Sequence, residues 1–174
     1  MIGKPWFFSV CGNHDLCLKY YLGDKFKFIT VPNDVVDFSR HVLANHGLNE
    51  PEQIEIYNLI TTQPNIIMVN KCFNVVHAWL HSIHHNDFFT DQIIENLHGL
   101  DSFPLIQRFS ESREWQQYTL PYNLEGLSTT YCGHCIVNSV QRALSHVMID
   151  TGSFKNGLTL VDTSTQETYF QPRI

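Results

Sequence analysis

Two apolar rhythms alternate along the chain, one at helical spacing and one at strand spacing. Val35, Phe38, Val42 and Leu43 share one helical face. That segment opens at Pro32-Asn33-Asp34 and closes at Asn45-His46-Gly47-Leu48, a glycine stop followed by an apolar residue. Asn49-Glu50-Pro51-Glu52 has capping-box spacing with proline in the first turn, so Pro51 to Ile60 predicts a second helix. Asn74 to His85 and Thr90 to His98 predict a third and a fourth. In the fifth, Ile136, Val140, Ala143, Leu144 and Val147 align on one face over residues 136–147, with Ser128, Thr129 and Thr130 as N-cap candidates.

The strand signals lie mainly at the ends. Trp6 to Val10 reads as a strand. Leu16 to Tyr21 and Phe26 to Val31 flank Leu22-Gly23-Asp24-Lys25, a hairpin signal. Gly157 to Val161 and Glu167 to Phe170 predict a closing hairpin around Ser164-Thr165-Gln166, and Ile66 to Val69 reads as a short buried strand after the break at Pro64-Asn65. Leu100 to Gly126 carries the weakest pattern and reads as loop-rich, in the position of a lid. The expected fold is α+β: N-terminal strands and the C-terminal hairpin form one sheet, packed against about five helices. No linker or repeat interrupts the 174 residues, so residues 1–174 are expected to form a single compact domain.

Composition narrows the function. The net charge is −6 and no Lys/Arg stripe occurs, which argues against a sequence-independent grip on nucleic acid. No apolar run reaches the roughly 20 residues needed to span a bilayer. The apolar run at Trp6-Phe7-Phe8 breaks at Cys11-Gly12-Asn13, too short for a secretory signal, so the expected location is the cytoplasm. Five cysteines, an odd number, read as reduced thiols or metal ligands, and ten histidines are an excess for this length.

Chemistry is expected around Cys132-Gly133-His134-Cys135. Cys11-Gly12-Asn13-His14 shares its form, two ligands three apart with a glycine that lets the backbone turn under the sulfur. Cys11, His14, Cys132 and Cys135 would then close a tetrahedral zinc site joining the N-terminal strand to the C-terminal helix. Against this stands the plain reading of Cys11 as a core residue and His14 as a turn residue. A second constellation is His77, His81 and His84, which a helix would place on one face with His85 and Asp87 at hand. His77 and His81 have the spacing of a zinc-chelating pair, although Ala78 stands where a metalloprotease helix carries its glutamate. The bland alternative is a boundary stripe of solvated imidazoles. In a third arrangement Cys132 or Cys135, at a helix N-terminus, is a nucleophile activated by His77, His81 or His14.

Two resemblances touch the same residues. Cys132-Gly133-His134-Cys135 is identical to the active-site tetrapeptide of protein disulfide isomerases, which implies thiol–disulfide exchange. Val76-His77-Ala78-Trp79 with Tyr131-Cys132-Gly133-His134-Cys135 is similar in outline to the two zinc motifs of cytidine deaminases. That resemblance implies His77, Cys132 and Cys135 as zinc ligands; Trp79 replaces the proton-shuttling glutamate and Tyr131 a proline, so the implied protein binds metal without deaminating. The leading expectation is a zinc-stapled protein that binds an unidentified protein or a small, nucleotide-type molecule. The enzymatic alternatives are a Cys/His-dependent hydrolase and a hydrolase that uses zinc-activated water.

Overall fold

The structure, a computed structural model, describes residues 8–27, 33–80, 89–96, 123–152 and 157–172. The chain divides at Pro64 and Asn65, the break marked in the sequence, into two compact units.

The first unit is helical. Helix α1 (Asn13–Lys27) starts on Gly12, whose N–H donates to the Asp15 carboxylate at 2.9 Å, so an early acidic residue satisfies a backbone donor at the helix start. Residues 16–27 are therefore helical, in place of the expected hairpin. Gly23 is the reason the turn signal misleads. It is buried in mid-helix, and a Cβ there would lie 3.6 Å from the Tyr57 ring, so the glycine serves helix packing and not a turn. Helix α2 (Asn33–His46) packs on α1, with the Ser39 hydroxyl donating to the Cys17 carbonyl at 3.2 Å. Helix α3 (Glu50–Thr62) carries the predicted capping box. The Asn49 side chain accepts from the Glu52 N–H, and the Glu52 carboxylate accepts from the Asn49 N–H. Residues 8–12 have no strand; they lie along the end of α3, with the Cys11 N–H donating to the Pro64 carbonyl at 2.9 Å.

The second unit holds both sheets. Strands β1 (Ile66–Val69), β2 (Phe73–Val76), β3 (Thr129–Cys132), β4 (Gln141–Ala143) and β5 (His146–Met148) form a sheet in the order β1-β2-β3-β5-β4. The central pairs β2–β3 and β3–β5 are parallel; the outer pairs β1–β2 and β4–β5 are antiparallel. Helix α4 (Asp91–Asn96) falls within the predicted fourth helix. Strands β6 (Gly157–Val161) and β7 (Thr168–Pro172) make the expected C-terminal hairpin, but as a separate two-stranded sheet. Gln166 at its tip, at φ +63°, donates to the Tyr131 hydroxyl at 2.7 Å and accepts from Arg142. The architecture is broadly α+β, with four helices among the described residues and not about five.

Two predicted helices contain strands instead; of the first, Asn74 to His85, residues 77–80 have no regular structure and 81–85 lie outside the described residues. Residues 73–76 form β2, so the histidine stripe does not begin on a helix, and residues 136–147 contain β4 and β5. The helical spacing in 136–147 is coincidental. His146, Val147 and Met148 are all buried, the pattern of a strand covered on both faces. Leu144 and Ser145 turn β4 into β5, with Leu144 buried at φ +44°, a conformation that an L-residue holds only when its packing compensates. Ser145 fixes that turn: its hydroxyl donates to the Leu127 carbonyl at 3.0 Å and accepts from the Leu124 N–H at 2.8 Å. The core comprises Ile66, Val76, Trp79, Leu80, Phe89, Ile94, Leu127, Cys132, Val137, Ala143, Leu144 and Met148.

A polar network ties the N-terminal ends of β2 and β3 to α4. Asn74, fully buried, donates through Nδ2 to Asp91 at 2.9 Å, and the Asp91 carboxylate also accepts from the Ser128 N–H and, at 2.5 Å, its hydroxyl. The network pins one end of the sheet; β2, β3 and β5 all terminate at the other.

Candidate functional site

In a parallel sheet the carboxyl ends of the strands converge on one edge, where binding crevices form. Three such ends meet here. His77 follows β2 directly, Gly133 and His134 follow β3, and Asp150 follows Ile149 after β5. The Gly133 N–H donates to the His77 carbonyl at 2.9 Å, extending the β2–β3 ladder one step past the strands. The Val137 N–H donates to the Asp150 carbonyl at 2.8 Å and ties the loop after β3 to the end of β5.

His134 is held in an unusual backbone state. The Cys135 N–H donates to the Gly133 carbonyl at 2.7 Å, closing a three-residue turn with His134 at its centre at φ +65°. A non-glycine residue there carries strain, which a fold retains where surrounding contacts over-determine it. The turn carries the His134 ring to that of His77: the centroids lie 5.2 Å apart at an interplanar angle of 65°. Both residues are half-buried and so reachable from solvent. Asp150 lies beside the backbone of Gly133, its Cβ 3.6 Å from where a Gly133 Cβ would stand, and its carboxylate accepts from the Gly152 N–H of its own loop at 2.9 Å. A groove of about 340 Å³ lies between the segment after β3 and the C-terminal hairpin; its lining includes Asn138, Ser139, Thr151, Thr159 and Phe170, and none of His77, His134 and Asp150.

The cysteines take a different place. Cys132 ends β3 inside the core, its thiol donating to the Val147 carbonyl at 3.8 Å, and burial first, then the nearby Cys135, push its pKa far up. Cys135 is also buried. The helix N-terminus expected to favour thiolate at these positions is replaced by a strand and a turn, and that argument for a nucleophile falls with it. Cys11 and His14 belong to the first unit, and Cys132 and Cys135 to the second. The staple as expected joined a strand to a helix; Cys11 instead precedes α1, and no helix follows Cys135 among the described residues. Burial, with Asp15 adding to it, pushes the Cys11 thiol up to about 11, and the His14 ring stacks on Phe38 at 4.6 Å. His81, His84, His85 and Asp87 lie outside the described residues. Among the described residues, no group of three or more His, Cys, Asp or Glu side chains is placed to hold a metal ion.

Of the residues expected to act, the structure brings His77 to a new neighbour, His134, which the sequence reading treats as a spacer between two cysteines. The available signal was Thr129-Thr130-Tyr131-Cys132, β-branched and aromatic, leading straight into a glycine. A second histidine escapes the sequence reading altogether. His146, in β5, is 1% exposed; Trp79 stacks on its ring at 3.7 Å, and its Nε2 accepts the Leu80 N–H at 3.3 Å. Burial pushes its pKa down to about 3, so it is neutral.

No protein-family model and no curated protein matches this sequence. No helix among the described residues is long and apolar enough to cross a membrane.

Proposed function

We propose that this chain is a metal-dependent hydrolase in which His77 and His134 grip one divalent ion, zinc in the simplest case, at the carboxyl edge of the parallel strands. The closeness of those two rings, edge to face, carries the reading. An ion about 2.0–2.1 Å from each coordinating nitrogen lies about 3.2 Å from each ring centre, and a tetrahedral angle at the ion then separates the centres by about 5.2 Å. The observed separation is 5.2 Å. Two imidazoles fill half of a tetrahedral shell, leaving positions for oxygens of water and substrate, as an ion that activates water requires. Asp150, next to Gly133 in the neighbouring loop, is the carboxylate that would take a proton from such a water. The groove starts at Thr151, next in the chain to Asp150, and its hydroxyls, amide and Phe170 ring would hold an uncharged part of the substrate.

The test begins with the purified full chain. Zinc affinity by chelator competition is expected to fall at least tenfold in His77→Ala and in His134→Ala, with far-UV circular dichroism unchanged. Zinc-dependent turnover of p-nitrophenyl phosphate or p-nitrophenyl acetate, lost in both variants, would support the reading and separate phosphoryl from acyl transfer. A chain that takes up no zinc, manganese or iron, or whose uptake ignores both histidines, would refute it.

A further inference from the structure

We infer that His146 is a positioning residue for this site: from inside the sheet it anchors the backbone at Leu80 and so sets where His77 stands. The inference rests on the reading of His77 and His134 as a metal pair, and its test separates the two.

After Val76 the chain leaves the sheet, and residues 77–80 have no regular structure although Ala78, Trp79 and Leu80 are each at most 2% exposed. A backbone N–H in such a place is costly unless a partner is supplied. For Leu80 that partner is not another backbone group but the Nε2 of His146 at 3.3 Å. The Trp79 ring lies nearly parallel to the imidazole, 20° off and 3.7 Å away, so residues 79 and 80 are both set on one side chain of β5. The other side of His77 is fixed at its own carbonyl, which accepts the Gly133 N–H from the turn that carries His134. His77 thus sits between two tethers: one leads to β3 and its ring partner, the other to β5 through His146.

An apolar residue would fill the same volume without burying an imidazole. What histidine adds is an acceptor aimed at Leu80 together with a flat face for Trp79. With Nε2 accepting, the ring proton belongs to Nδ1, which has no partner among the described residues. The fold keeps this unsatisfied donor, and the strand position it occupies is the one that reaches Trp79 and Leu80. Groups hydrogen-bonded directly to a metal-ligating histidine typically matter by 10–100-fold in metal affinity; His146 acts one step removed, through the Leu80 backbone, so the lower end of that range applies.

Two variants and one spectrum test the inference. His146→Phe keeps a ring against Trp79 and removes the acceptor; His146→Gln restores an acceptor oxygen. With zinc chloride as the probe and the full chain as the protein, His146→Phe is expected to bind about tenfold or more weakly, and His146→Gln to recover most of the loss. Equal binding by wild type and His146→Phe, or equal loss in both variants, would overturn the inference. If the wild type binds no metal, the proposed function fails. The positioning claim is then read in the metal-free chain, from nuclear Overhauser contacts between the His77 and His134 rings. Those contacts should vanish in His146→Phe and persist in His146→Gln, and their persistence in His146→Phe would refute the claim. Should His146→Phe not fold, nitrogen spectra of the wild type decide. An Nδ1–H tautomer with scalar coupling from the Leu80 amide to Nε2 supports the tether, and an Nε2–H tautomer excludes it.

Discussion

Removing the Asp91 carboxylate should cost much more than removing its fully buried partner Asn74. Asp91 accepts from Asn74 Nδ2, from the Ser128 N–H and from the Ser128 hydroxyl. In Asp91→Ala the buried amide loses a charge-assisted bond, about 2 kcal/mol, and keeps only the long 3.5 Å contact to the Thr130 hydroxyl. The half-exposed Ser128 N–H recovers water and the Ser128 hydroxyl turns to the Lys71 carbonyl at 3.0 Å, so each adds about 0.5 kcal/mol, for a total near 3 kcal/mol. Asn74→Val behaves differently. It forfeits the same bond, but it also removes Oδ1, a buried acceptor with no partner among the described residues. The two effects are of similar size, so Asn74→Val should change stability by less than about 1 kcal/mol. In the double variant the Asp91→Ala step should cost only about 1 kcal/mol, a coupling near 2 kcal/mol. The assay is urea unfolding followed by fluorescence in a background with Trp6 and Trp115 replaced by phenylalanine. Trp79, in the same unit as Asp91, is then the sole reporter. Asp91→Ala within 1 kcal/mol of the parent, or Asn74→Val as costly as Asp91→Ala, would refute the reasoning. The outcome bears on the site as well. This network fixes the register of β2 on β3, and a one-residue slip would turn each side chain of β2 to the opposite face.

Three further outcomes follow from burial and capping. His146 is neutral when folded, with its pKa pushed down to about 3, and would titrate near 6.5 when unfolded. The unfolded chain therefore binds the extra proton below about 6.5, and stability, complete above that pH, should fall as pH drops toward 3. Urea midpoints between pH 7 and 4 should show a decline that flattens in His146→Phe; parallel curves would contradict the assignment. At pH 8, iodoacetamide should label exposed Cys72 first, while Cys11 and Cys132, buried with raised pKa values, react only in denaturant, as peptide mass spectrometry would reveal. Asn49→Ala should destabilise α3 by about 1 kcal/mol, seen as faster amide exchange in its first turns; unchanged exchange would mean that the cap contributes nothing.

The first unit's α2 and α3 were legible because their signals are local: a capping box, a proline in the first turn, a glycine stop at Gly47. So were β1 and the terminal hairpin, whose register follows from short-range turns. The failures have a shared cause. Gly23 was a packing residue in a helix, and the apolar spacing of residues 136–147 was decided by sheet pairing, since β5 is held by β3 on one side and by its hairpin partner β4 on the other. A strand covered on both faces loses the alternation that identifies it. The candidate site was legible only in part. His77 stood out as one of a run of histidines, on the mistaken premise of a helix. His134 was passed over because the pair exists only through the parallel alignment of β2 and β3, which no local pattern encodes.

That alignment also sets an order of events. Asn74 and Thr130, neighbours across β2 and β3, are 56 positions apart in the chain, whereas β4 turns into β5 through two residues. Closing the longer loop costs more entropy before any contact repays it, so the β2–β3 seam should zip late in folding, after the short hairpins have formed. The histidine rings come together only when that seam is complete. Contact between His77 and His134 is thus a signal of finished assembly. On refolding from urea it should return after the hairpins have regained their circular dichroism, and an earlier return would contradict this order.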